Sequence, residues 1–156
     1  MPKFVRQGDN TLTGNNTFSG TNTFSGTVAL TGGQTIPVEA TTAETEAVAV
    51  AESGKVFVQT RSSTTVTYTL PAAAAGLEYT FVCGNAGSEI LITPQSGDAI
   101  VTKIHSAQDG TALAPAAGTG IKNTAATNVA GDAITLVSLD GTTWYGTSIV
   151  GLWASQ

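Results

Sequence analysis

This chain is short of charge. Asp, Glu, Lys and Arg together make up 11% of its 156 residues, against about 25% in an ordinary soluble domain. A free cytosolic enzyme keeps itself in solution with a charged surface. This composition fits better a protein covered by neighbours, or one made rigid by close β packing. The six cations, Lys3, Arg6, Lys55, Arg61, Lys103 and Lys122, are scattered, and the net charge is −5. A phosphate-binding face needs clustered Lys and Arg, so nucleic acid is not expected as a partner. Lys3 and Arg6 do lie near one another, and read either as a solvated end or as a basic tip that docks on an acidic surface.

The groups that carry chemistry are equally sparse. The one cysteine, Cys83, forbids an intrachain disulfide. It ends the apolar run Thr80-Phe81-Val82-Cys83 and is expected to be a small buried hydrophobe. The one histidine, His105, has Ser106 and Asp109 as its nearest nucleophile and carboxylate, too close in sequence to imply the geometry of a triad. A zinc site needs more His and Cys than this, and no Asp-x-Asp-x-Asp-Gly run offers a calcium loop. Asp98, Asp132 and Asp140 are accounted for by loop and turn chemistry. No phosphate-cradling Gly-x-x-x-x-Gly-Lys-Ser/Thr pattern occurs. The expectation is a protein that is not an enzyme, with no catalytic residues, metal or cofactor. Nor does any apolar run approach the roughly 20 residues that span a bilayer, or any N-terminal stretch the pattern of a signal peptide. The chain is therefore expected to be made in a cytoplasm, with no membrane partner.

What the chain does have begins with a repeat. From Asn10 four hexads follow one another: Asn10–Asn15, Asn16–Thr21, Asn22–Thr27 and Val28–Gly33. A large apolar residue recurs at Leu12, Phe18, Phe24 and Leu30, and glycine recurs two positions later each time. A period of six matches no amphipathic helix, and Thr with regular Gly is poor helix material. The pattern fits short extended segments ended by Gly turns, as in hexapeptide β repeats. One apolar side chain per hexad has nothing to pack against in a single short run. Several chains around a shared axis, most simply three, provide a core. A flexible Gly/Thr/Asn-rich linker is the competing reading, and the regular apolar position weighs against it.

Residues 37–52 are expected to connect this arm (residues 1–36) to a body (residues 53–156). Within the connection, Thr41-Thr42-Ala43-Glu44 has the form of a capping box, while Val48 and Val50 alternate like a strand; a connection running into a strand is the preferred reading. The body is plainly β. Candidate strands are 55–60, 65–70, 77–82, 89–93, 99–104, 133–139 and 143–149, with a Gly- and Ala-rich loop over roughly 106–131. Pro71 stops the second, since it lacks the donor a ladder needs. Asp140-Gly141 between two strand-like runs is a hairpin signal, because both positions tolerate positive φ. Short strands at this spacing predict an all-β, jelly-roll-like β-sandwich or barrel. Trp144, Tyr145 and Trp153 cluster near the C-terminus. They read as core or seam residues, or as an exposed aromatic face for a glycan.

The hexads Asn-Thr-Phe-Ser-Gly-Thr resemble repeats found in tailed-bacteriophage fibre and virion proteins. The body resembles a β module from the same setting, through Ser53-Gly54-Lys55-Val56-Phe57, Thr69-Leu70-Pro71-Ala72-Ala73-Ala74-Ala75-Gly76-Leu77, Ile92-Thr93-Pro94-Gln95-Ser96-Gly97-Asp98 and Leu139-Asp140-Gly141-Thr142-Thr143-Trp144. The resemblance implies a homotrimeric virion component. It is expected either as a capsid decoration (cement) protein on the major capsid protein, or as a short tail fibre or tail-tip adhesin binding a host-surface glycan. In the first role the anchoring or trimer-axis residues are expected to be Phe4, Arg6, Leu12, Phe18, Phe24 and Leu30. In the second, Trp144, Tyr145 and Trp153 form the exposed binding end.

Overall fold

The computed structural model describes residues 35–62, 64–102 and 119–156, together with Thr17, Ser19, Gly20 and Thr23. The chain divides at Gln34, and the fold described is that of the unit Thr35–Gln156. The expected anchor or axis residues Phe4, Arg6, Leu12, Phe18, Phe24 and Leu30 lie outside the described residues, as does His105.

Period-2 alternation generates the elements. Val56-Phe57-Val58-Gln59, Val66-Thr67-Tyr68-Thr69 and Ile90-Leu91-Ile92-Thr93 each turn every second side chain into a dry interior, as a pleated strand must. In chain order the strands are β1 (Val38–Thr41), β2 (Thr45–Ala47), β3 (Val56–Gln59), β4 (Val66–Thr69), β5 (Glu78–Cys83), β6 (Ile90–Thr93), β7 (Ala99–Val101), β8 (Ile121–Asn123), β9 (Ala133–Ser138), β10 (Thr143–Val150) and β11 (Trp153–Ser155). A single 3-10 turn, Val50–Glu52, precedes β3. Two sheets result. Sheet A has the order β1-β3-β5-β9-β10-β7 and sheet B the order β11-β8-β6-β4-β2.

The chain alternates between the sheets through its first six strands. β1, β3 and β5 run parallel in sheet A, and β2, β4 and β6 run parallel in sheet B. This is the winding of a parallel β-solenoid three coils long. The third coil is followed by antiparallel strands, β9 against β5 and β8 against β6, then β10 against β9 and β11 against β8. The expected two-sheet all-β body is present. The jelly-roll-like part of the expectation is not shown: a jelly roll pairs its strands antiparallel, whereas five of the nine ladders among the described residues are parallel. Nor is there a closed barrel, since each sheet ends in edge strands. Alternating hydrophobicity says which side of a strand faces in and nothing about its neighbour, so it does not reveal that strands consecutive in sequence lie in opposite sheets everywhere except at β9 and β10.

Residues 37–52, expected as a connection, hold β1, β2 and the 3-10 turn and so form the first coil. Within residues 106–131, expected as a loop, β8 adds a short strand, and β11 adds another at the C-terminal end.

The core joins the sheets through aromatic rings. Phe57 and Phe81 are register partners in adjacent parallel strands and stack at 5.5 Å with 16° between their planes. Tyr68, from sheet B, packs on both, at 5.8 Å and 4.8 Å. Tyr79 carries the cluster to Trp144 at 5.6 Å. All five are fully buried. Cys83 is buried beside them, and desolvation first, then the Asp132 charge, pushes its thiol pKa up, which keeps it in the unreactive form.

Polar clamps hold the loops. The Asp132 carboxylate accepts from Asn123 Nδ2 at 2.9 Å and from the Val129 amide at 3.1 Å. Asn123 also donates to the Leu152 carbonyl at 2.9 Å. Gly151 sits against that carboxylate with φ of 87°; a β-carbon there would overlap Asp132. The Asp140-Gly141 hairpin joins β9 to β10, by a different device from the one expected. Gly141 keeps an ordinary φ, and Asp140 Oδ1 accepts from the amides of Thr142 and Thr143 at 2.8 and 2.7 Å. This is a side-chain-closed turn.

Phe81→Ala removes the ring that contacts both sheets, and should cost about 3–5 kcal/mol in urea unfolding of residues 35–156. A loss below about 1 kcal/mol would contradict this packing.

Candidate functional site

A strand buried on one face turns polar residues to water on the other. Sheet A departs from that rule. Aligned by register, its outer face reads Ala40–Val58–Val82–Ala133–Val150 in one row across five strands. The next row reads Val38–Val56–Thr80–Thr135–Ser148, and the hydroxyls of Thr80 and Thr135 hydrogen-bond at 2.9 Å. A third row runs Glu78–Val137–Tyr145–Val101. Glu78 is the one charged side chain in these three rows. Val38, Val101 and Val150 are 66%, 39% and 56% exposed. Five strand gaps of about 4.8 Å make the face about 24 Å wide, a patch of a few hundred Å², which is the size at which exposed apolar surface marks a contact. The composition is that of a sheet covered on both sides.

The outer face of sheet B differs. Its rows read Thr45–Thr67–Leu91–Lys122–Ala154 and Ala47–Thr69–Thr93, a Thr-rich surface that water solvates readily.

The start of the solenoid has a different chemistry. In the first coil the inward positions hold Glu39, beside Phe57, and Glu46, beside Tyr68. Lys55 Nζ meets Glu39 at 2.7 Å and Glu52 at 2.5 Å. Arg61 meets Glu44 at 2.7 Å and donates to the Thr42 carbonyl at 3.0 Å. The hydrogen bond from Lys55 draws the Glu52 pKa down, helped by the Ala49 amide, and the same two carboxylates hold Lys55 up at about 12. Glu46 forms no ion pair among the described residues. Its pKa is raised, first by burial and then by Glu39 and Glu52. Beneath it the Tyr68 phenol is pushed up to about 12, chiefly by burial, with the Thr41 hydroxyl partly offsetting that and the Glu46 and Glu39 charges adding to it. The hydroxyls of Tyr68 and Thr41 are both buried without a hydrogen-bond partner of good geometry among the described residues.

The C-terminal aromatics do not form an exposed binding end. Trp144 is 0% exposed and Trp153 is 1% exposed, and the Trp153 indole donates to the Val150 carbonyl at 3.0 Å. Inward register positions force this burial. Tyr145, on the opposite face of β10, is half-buried between Val137 and Val101 on the outer face of sheet A. The structure thus separates the three residues that the sequence groups together. Sequence reasoning missed the sheet A face, although a signal existed: Val56-Phe57-Val58 and Phe81-Val82 place apolar residues on both sides of their strands. Among the described residues no group of three or more His, Cys, Asp or Glu is placed to hold a metal ion, and no helix is long and apolar enough to cross a membrane.

The raised pKa of Glu46 fixes the sign of a pH effect. The folded state penalises its ionised form, so the penalty is present above the folded pKa and vanishes below the unfolded value of 4.5. Glu46→Gln should therefore stabilise the protein slightly at about pH 7, by under about 0.5 kcal/mol for a group that solvent still screens, read as a small rise in Tm. The gain should fade as the pH drops below about 4. A melting series over that range that finds no gain at neutral pH overturns the assignment.

No protein-family model matches this chain, and a search of curated proteins finds no match either.

Proposed function

We propose that this protein is a non-enzymatic structural component of a tailed-bacteriophage particle, a homotrimer that binds the major capsid protein and braces the shell as a decoration protein. The single observation that carries the reading is the outer face of sheet A, a β surface with Glu78 as the one charge in its three rows, composed for contact with protein rather than with water. Self-association through it fits the low charge of the whole chain, and the resemblance of the hexads and body to virion proteins supplies the setting. Three arms on one trimer bind with an effective concentration that makes release rare, and bonds across capsid seams oppose outward pressure without catalysis. Phe4, Arg6, Leu12, Phe18, Phe24 and Leu30 are the proposed anchor or axis residues. The adhesin alternative loses its main support with Trp144 and Trp153 in the core.

Sedimentation of the purified protein should give a trimer. Val58→Lys with Val82→Lys, two substitutions in the middle of the apolar row, should give a monomer with unchanged circular dichroism. A wild-type monomer at tens of micromolar, or a variant that still trimerises, rejects the interface.

Removing residues 1–34 should leave a folded body that no longer binds particles, measured by co-sedimentation. In purified particles the copy number should lie in the hundreds, near an integer ratio to the shell subunit. A few to some tens of copies places the protein at the tail or vertices.

A further inference from the structure

Among the described residues nothing covers the start of the solenoid. β1 and β2 are the edges of their sheets, and they lie at the same end, where Glu39 and Glu46 feel one another's charge. The carbonyls of Pro37 and Thr41 accept from the amide of Val56 in β3 and from that of Thr60 just beyond it, at 3.0 and 3.1 Å. In a parallel ladder alternate residues bond to one neighbour, so the amides and carbonyls of Val38 and Ala40 point away from β3. Among the described residues no strand pairs with them. A row of free backbone groups is a template for another strand.

We propose that β1 is a strand-acceptor edge for an extended segment of a partner protein that carries Lys or Arg at alternate positions, with apolar residues between them. This goes beyond the function proposed above and does not rest on it, because the edge is separate from the outer face of sheet A.

Register dictates the chemistry of the occupant. A strand added to β1 places its inward side chains about 4.8 Å from Glu39 and Thr41, in the layer that Glu46 faces from sheet B. The excess charge there is negative: Glu39, Glu44, Glu46 and Glu52 stand against Lys55 and Arg61, and both cations are already engaged. Opposite charges side by side on neighbouring strands attract, and like charges repel. The hydroxyls of Tyr68 and Thr41 lie buried in the same layer, without a hydrogen-bond partner of good geometry among the described residues. The outward side chains of the added strand lie beside Val38 and Ala40, and the exposed Ile36, at 55%, extends that apolar margin. Hence the alternation of basic and apolar residues. A second copy of this chain is a poor occupant, since joining two such ends sets Glu39 and Glu46 against their own equivalents.

The test uses the full chain and two synthetic peptides, acetyl-Lys-Val-Lys-Val-Lys-amide and its Glu counterpart, with amide exchange of β1 as the readout. The basic peptide should slow exchange at Val38 and Ala40, bind more weakly as salt rises, and lose about fivefold in affinity for the Glu39→Gln/Glu46→Gln variant. The acidic peptide should change nothing. Unaltered exchange with the basic peptide, or equal binding to wild type and variant, overturns the proposal. So does protection without peptide: if it grows with protein concentration a second copy occupies the edge, and if it is constant the chain's own N-terminal segment does. A melting curve of the variant confirms that the end is still folded when the comparison is made.

Discussion

The contact on which this body depends is the ring of Tyr68 against Phe57 and Phe81. It is the place where sheet B touches two adjacent strands of sheet A at once, and it fixes the register between coils. Phe57 stacks on Phe81 only if β3 and β5 are aligned residue for residue. Because side chains alternate along a strand, that alignment also sets Val58 beside Val82 and Val56 beside Thr80 on the other face. A slip of one residue exchanges the two faces. The outer surface of sheet A is thus built by the same alignment that builds the core.

The two ends of the solenoid are finished by different physics. After the third coil, β9 and β8 reverse direction and continue each sheet with antiparallel strands, and Ile134, Leu136, Ile121 and Trp153 fill the interior behind them. That end is sealed by apolar volume. At the first coil the inward positions are Glu39, Thr41 and Glu46, which are wrong for a core and right for a boundary. Inward-pointing charge is a recognised way for β proteins to keep edges from joining indiscriminately. The ion pairs of Lys55 with Glu39 and Glu52 hold part of that charge in place, and Glu46 carries the rest without a cation of its own.

How much of this was legible in the sequence differs from element to element. β3 to β6 and β9 announce themselves, since each puts large apolar residues at alternate positions. The β9–β10 hairpin is equally plain, because Asp140 both favours a turn and closes it. β1 is hidden for a specific reason: in Val38-Glu39-Ala40-Thr41 the exposed residue is the valine and the inward one the glutamate, the inverse of the pattern that marks a half-buried strand. β8 and β11 are three residues each, too short for any alternation to register. Trp153 shows the same limit on the side of the candidate site. An indole near a chain end reads equally as a sugar platform or as a plug, and only its pairing opposite Asn123 turns it inward. The parallel winding was not legible at all, since composition and periodicity carry no information about which strand lies beside which.

That winding sets the pace at which the protein acquires its structure. Among the described strands, β9 and β10 are the one pair that is both consecutive in sequence and adjacent in a sheet, and a hairpin of that kind closes in about 1–10 μs. Every other ladder joins segments separated by at least one further strand, so a long loop must be ordered before any of its hydrogen bonds reward the loss of entropy. Non-local pairing of this kind is intrinsically slow to form, and chains awaiting it are exposed to aggregation. During that wait the apolar rows of half-wound chains face the solvent, and neighbouring copies compete with the chain's own strands for them.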